Sequence, residues 1–158
     1  MPFNASAPSP AASTPNLVTN DGWWPDLDLD AAREAMRLDG TVTPARLRDA
    51  LRAGMLDVNT DGPVAAWAAA HKAAGAVTLA DVDAPKIDGV RRLVYLYGRA
   101  AYSFAKADLI ERYVDYDTAA SGIKRGELQE CAPDEHRRNG RWAISQLLGR
   151  SRSTVELI

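Results

Sequence analysis

The chain has one cysteine, Cys131, among 158 residues, which excludes an intramolecular disulfide framework and suits a reducing compartment. It has two histidines, His71 and His136, far apart and without metal-ligand spacing. No apolar run approaches the ~18 residues that a membrane span needs, and the N-terminus has neither a basic segment nor an apolar h-region. No strong charge imbalance exists: 19 Lys plus Arg stand against 21 Asp plus Glu. Net charge therefore argues for neither a nucleic-acid binder nor a trap for acidic substrates. Phosphate-cradling glycine loops and nucleophile elbows are missing too, because Gly122 and Gly126 lack the Lys-Ser/Thr that would come after them. The reading is no enzyme, no cofactor, no metal and no membrane.

Charge is distributed unevenly. Residues 1–32 contain four aspartates (Asp21, Asp26, Asp28, Asp30) and no Lys or Arg. Residues 136–155 contain five arginines (Arg137, Arg138, Arg141, Arg150, Arg152) and no acid. A chain polarised in this way can meet different partners at its two ends.

The opening "MPFNASAPSPAASTPN" is rich in Pro, Ala and Ser and offers little apolar surface to offset the entropy of ordering. It predicts a disordered tail over residues 1–20, followed by a helical domain over 21–149 and an extended arm over 150–158. In "NDGWWPD" two adjacent tryptophans stand against a turn signal, so one of Trp23 and Trp24 is expected in the core and the other toward a neighbour.

The rest reads as all-α, a helical bundle with a long central helix. Asp28 or Asp30 caps a first helix to about Leu38. Thr43-Pro44 starts a second, whose Leu47, Leu51, Met55 and Val58 share one face. Gly62-Pro63 begins an Ala-rich third that ends near Gly75, a face that allows close approach within the domain or between subunits. "TLADVDAPKIDG" reads as a connector, and residues 86–117 as the long helix. Its Leu93, Tyr97, Ala100, Phe104 and Ala107 form an apolar stripe opposite Arg92, Arg99 and Lys106. Gly122, Gly126, Pro133 and Gly140 predict breaks before a last helix in "RWAISQLLG". "STVELI" has strand character, and no intrachain partner strand is expected for it.

Two motifs carry weak chemistry. "DVNTDG" (Asp57, Asn59, Asp61, Gly62) matches half of a calcium loop, but Ala65 and Ala68 stand at its ninth and twelfth positions. An ordinary turn between helices is the better reading. "DLDLD" suits helix capping more than metal binding, since no histidine accompanies it. Residues 28–58 also fit a helix-turn-helix with Arg48 and Arg52 on one face, so a DNA-binding protein is the alternative function.

Three stretches together resemble the head completion/stabilisation (GPL) family of tailed bacteriophages: "NDGWWPDLDLDAAREAMRLDGTVTPARLRDALRAGMLDVN", "YLYGRAAYSFAKADLIERYVDYDT" and "RRNGRWAISQLLGRSRSTVELI". They cover over half the chain. The resemblance implies a structural virion protein of the neck, assembled in the host cytoplasm. It implies a head-to-tail connector that forms a homo-oligomeric ring, twelvefold in related adaptors, beneath the portal protein once DNA is packaged. Such a ring extends the channel through which packaged DNA passes, helps retain the genome and offers a surface to a tail-completion or tail-terminator protein. On this reading Arg150, Arg152, Thr154, Val155, Glu156, Leu157 and Ile158 dock on the portal, the strand adding to a partner's edge. Trp23, Trp24, Asp26, Asp28 and Asp30 are the candidates for contacts between subunits, because a closed ring needs two different complementary patches.

Overall fold

The computed structural model describes residues 16–117 and 132–150, with the side chains of 113–117 excepted. Most of the expected tail, the arm beyond Arg150 and residues 118–131 lie outside the described residues. The described chain is mostly helical, with two small two-stranded sheets beside five helices.

It opens with β1 (Leu17–Val18), antiparallel to β2 (Leu27–Asp28) in the register Leu17 to Asp28 and Val18 to Leu27. Val18 is buried, although it falls within the stretch assigned to the tail. Helix α1 (Leu29–Ala35) comes next, with Asp28 as its N-cap: Oδ1 accepts from the Ala31 N–H at 2.8 Å. The helix stops three residues before Leu38. Arg37 adopts a φ of 51°, and the Arg33 guanidinium donates to the carbonyls of Asp39 and Val42, which fixes the turn after the helix.

Helix α2 (Pro44–Asn59) has Thr43 as N-cap and Pro44 in its first turn, where a missing N–H costs nothing. Leu47, Leu51, Met55 and Val58 are all buried, as their spacing predicts. Asp61 then caps α3 (Gly62–Ala73), its carboxylate accepting from the Val64 N–H at 3.1 Å. The half calcium motif is thus a turn between helices. Only Val64 and Ala68 of α3 are fully buried.

The connector is more structured than its composition suggests. After one 3-10 turn at Leu79–Asp81, β3 (Lys86–Ile87) and β4 (Val90–Arg91) form a hairpin. Asp88 and Gly89 both have positive φ, 50° and 73°, as the tight two-residue hairpin turn requires. The long helix therefore begins at Arg92 rather than Lys86: α4 spans Arg92–Asp117.

Helix α5 (Pro133–Leu147) corrects the break expected at Gly140 and the start expected at Arg141, while Gly122 and Gly126 lie outside the described residues. Pro133 occupies its first turn, where proline initiates rather than interrupts. Gly140 lies inside the helix because a Cβ there would meet the Phe104 ring at 2.8–3.0 Å. Arg137 pairs with Glu111 while Gly140 meets Phe104, so α5 runs antiparallel along α4. On another face of α4, Gly54 of α2 approaches so closely that a Cβ would sit 2.3 Å from the Ala101 carbonyl oxygen. Ala100, Ala101 and Ala105 supply the small surface that this crossing needs.

Candidate interaction surface

The tryptophan pair is built by an aspartate. Asp21 Oδ1 accepts from the N–H groups of both Trp23 and Trp24 at 3.0 Å, a tight turn that sends successive side chains inward on different sides. Trp24 stacks on Tyr97 with centroids 4.9 Å apart and planes 19° from parallel. Trp23 meets Trp24 edge-on at 4.6 Å, and its Nε1 donates to the Ala76 carbonyl at 3.2 Å. Both rings are buried, 5% and 4% exposed, against the expectation that one faces a neighbour. The turn held by Asp21 lets two neighbouring side chains on irregular backbone both pack inward.

Beneath the pair lies a closed polar ring. Asn20 Nδ2 donates to the Tyr97 hydroxyl at 2.7 Å, which donates to Asn59 Oδ1 at 3.0 Å, and Asn59 Nδ2 returns to Asn20 Oδ1 at 3.0 Å. Burial pushes the Tyr97 hydroxyl well above its ordinary pKa, so it stays a donor. For Asp21, burial works upward, but the Trp24 and Trp23 N–H groups and Lys72 prevail and hold the carboxyl below its usual value. Lys72 stands 3.6 Å from Asp21 and over the Trp23 ring at 5.0 Å.

The three other aspartates of the acidic segment have local partners. Asp26 accepts from the Asn20 N–H at 2.7 Å, and Asn16 Nδ2 donates to Asp28 at 2.7 Å and to Asp30 at 3.0 Å. Asp26 and Asp30 are nonetheless exposed, which leaves their outer lone pairs on the surface. Arg48 donates to the Leu17 carbonyl at 2.9 Å, so one arginine of the helix-turn-helix reading is drawn onto the protein's own backbone.

Asp26 and Asp28 also line a groove of about 760 Å³, which the sequence did not reveal. Its apolar lining is Pro25, Leu27, Val90, Val94, Tyr95 and Tyr102. Arg37, Arg99, Lys106 and His136 add polar lining to that of the aspartates. Lys106, expected on the solvent side of α4, turns inward and donates to the Met36 carbonyl at 2.7 Å. His136 Nε2 is buried with no hydrogen-bond partner among the described residues, and burial, reinforced by Lys106, pushes its pKa down. The hairpin's Ile87, which pairs with Val90 and lies outside the lining, is 70% exposed, and Val90 and Tyr95 of the lining are 47% and 57% exposed. These are three of the six large apolar side chains most exposed among the described residues, and they cluster at the hairpin. The signal that could have found the hairpin is "IDGV", an Asp-Gly pair between apolar β-formers.

Of the portal-docking candidates, Arg150 alone is described. It is exposed, and its N–H closes the end of α5 on the Ser145 carbonyl at 2.8 Å. Arg152, Thr154, Val155, Glu156, Leu157 and Ile158 lie outside the described residues. Just upstream, Arg138 covers the half-buried Trp142 ring at 4.9 Å. No described helix is long and apolar enough to cross a membrane.

Comparison with known proteins agrees with the resemblance. The sequence model of the phage head completion protein (GPL) family matches residues 18–158. The chain is similar to the head completion/stabilization protein of Escherichia phage P2, with 39% identity over 151 residues, 96% of this chain and 88% of that protein. No solved structure matches.

Proposed function

The chain belongs to the phage head completion protein (GPL) family, a structural component of the virion, and from that premise we propose a head-to-tail connector. It forms a ring beneath the portal protein after DNA packaging, twelvefold as in related adaptors, extends the DNA channel, retains the genome and presents the tail-attachment surface. The protein works without catalysis, by shape and contact.

The observation that carries this reading is the extent of the family match. It runs to Ile158 and so takes in the whole arm, while it omits residues 1–17. An apolar, β-prone terminus kept within the shared sequence fits a strand that adds to a partner's sheet edge: main-chain hydrogen bonds give affinity, and Val155 and Leu157 on one face give register. Gly149, with a φ of 72°, follows the C-cap Leu148 of α5 in the left-handed conformation that commonly closes a helix.

Binding to purified cognate portal assemblies tests it, with the full chain compared against one stopped at Ser153 and circular dichroism confirming that both fold alike. Decoration by the full chain alone supports the docking strand. Equal binding by both places the interface on the helices instead. Binding by neither overturns portal docking, and duplex DNA is then the partner to try.

A further inference from the structure

The connector reading leaves the groove beside the hairpin and the Pro-rich residues 1–15 without a role. We propose that the groove between β2, the hairpin and α4 is the seat of this chain's own N-terminal segment, held there as an extended polyproline-type strand.

Four observations meet here. First, the segment enters the described structure at the groove's edge: Asn16 Nδ2 donates to Asp28, which lines the groove, and the Asn16 carbonyl accepts from the Leu29 N–H at 2.9 Å. A tether this close gives the segment a high effective concentration at the site.

Second, the chemistry is complementary. Pro2, Pro8, Pro10 and Pro15 have no N–H, so a segment rich in them presents carbonyl acceptors and flat ring faces. Aromatic-lined grooves with side-chain donors recognise such segments. This groove offers the rings of Tyr95 and Tyr102, the cationic donors Arg99 and Lys106, and the buried His136 Nε2 that lacks a partner among the described residues. Residues 1–15 carry no charged side chain and so meet no like side-chain charge among the groove's aspartates and cations.

Third, the lengths agree. From Val94 to Lys106, α4 lines the groove over about 18 Å at 1.5 Å per residue. Six residues of polyproline helix, such as Ala7–Ala12 ("APSPAA"), span about 18–19 Å at 3.1 Å each. Fourth, Val90 and Tyr95 of the lining are large apolar side chains left 47% and 57% exposed, beside the exposed Ile87 of the same hairpin, a patch of the kind that is normally covered. The proposal stands apart from portal docking, since its test requires no portal.

The test uses the full chain with a nitroxide on Ser9→Cys in a Cys131→Ser background, read by NMR line broadening. Expected is selective loss of the Val94, Tyr95 and Tyr102 signals while Val64 and Ala68 of α3 keep theirs. Tyr95→Ala and, separately, the exposed Val90→Ser should restore the remaining groove signals without lowering the melting temperature. Isotope-labelled chain mixed with unlabelled, nitroxide-bearing chain separates the sources. No broadening in that mixture supports docking within one molecule. Broadening that appears only there means that a second copy fills the groove, and overturns the proposal. Uniform broadening, or none, overturns it as well.

Discussion

Arg37 is the side chain least suited to its backbone. It lies just past the end of α1 with a φ of 51°, its N–H bonds the Glu34 carbonyl and the next N–H reaches back to Arg33. That position favours glycine, because a Cβ in the left-handed region costs roughly 1–2 kcal/mol. Arg37→Gly is therefore expected to raise stability by about 1 kcal/mol in urea denaturation, and a loss would mean that its groove contacts outweigh the backbone strain. Asp21 supplies a prediction of opposite character. Its carboxyl is held below the usual value, so its contribution is complete above the unfolded pKa of about 4 and is lost as pH falls through the lower folded value. Asp21→Asn keeps an oxygen for the Trp23 and Trp24 N–H groups and removes only the charge. With the side chain 48% exposed, screening limits the cost at neutral pH to about 0.5 kcal/mol or less. Melting both proteins across pH 2–7 checks this: the gap between them should close in acid, and a constant gap would refute the linkage.

At the scale of the element, the crossing of α2 over α4 and the packing of α5 along α4 make contrasting demands on glycine. A Cβ at Gly54 meets backbone, 2.3 Å from the Ala101 oxygen and 2.9 Å from the Ala105 nitrogen, and backbone cannot step aside. A Cβ at Gly140 meets only the ring of Phe104, which is half-exposed and can swing. Gly54→Ala is expected to cost about 3 kcal/mol or more by forcing the helices apart, and Gly140→Ala about 1 kcal/mol. Thermal melts of both decide the order, and the reverse order would contradict the packing described. Neither demand was readable in advance, because a glycine in a helical stretch looks alike whether it breaks the helix or admits a neighbour. The starts of α1, α2 and α3 were legible for the opposite reason: Asp28, Thr43-Pro44 and the turn at Gly62-Pro63 act on atoms within four residues of themselves. Pro133 was legible as a boundary, but the helix that it opens was expected only from Arg141, because Gly140 was read as a further break. Lys106 misled because its spacing placed it with Arg92 and Arg99, whereas the carbonyl that draws it inward belongs to Met36, seventy positions away. The groove escaped for the same cause, joining Pro25 and Leu27 to Val94 and Tyr102.

At the scale of the whole molecule, the chain is nearly neutral, with four aspartates and no Lys or Arg over residues 1–32 and five arginines and no acid over 136–155. The connector proposal assigns the two kinds of late residue different work, and this can be separated. If Leu157 is buried on the portal, Leu157→Ala removes about 2 kcal/mol, some thirtyfold in affinity per arm. Because a ring engages many arms together, the losses compound, and decoration of the portal should fall far more steeply than thirtyfold. Arg150 is exposed at the end of α5, where a charge steers encounter more than it holds the complex. Arg150→Ala should slow association, reduce its salt dependence and leave dissociation nearly unchanged. Association and dissociation measured on immobilised portal at low and high salt resolve the two. Faster dissociation for Leu157→Ala, with slower association for Arg150→Ala, is the expected pair. Should the arginine variant dissociate quickly while the leucine variant behaves as the parent, the arm is held by charge, and the added-strand account fails even though the portal remains the partner.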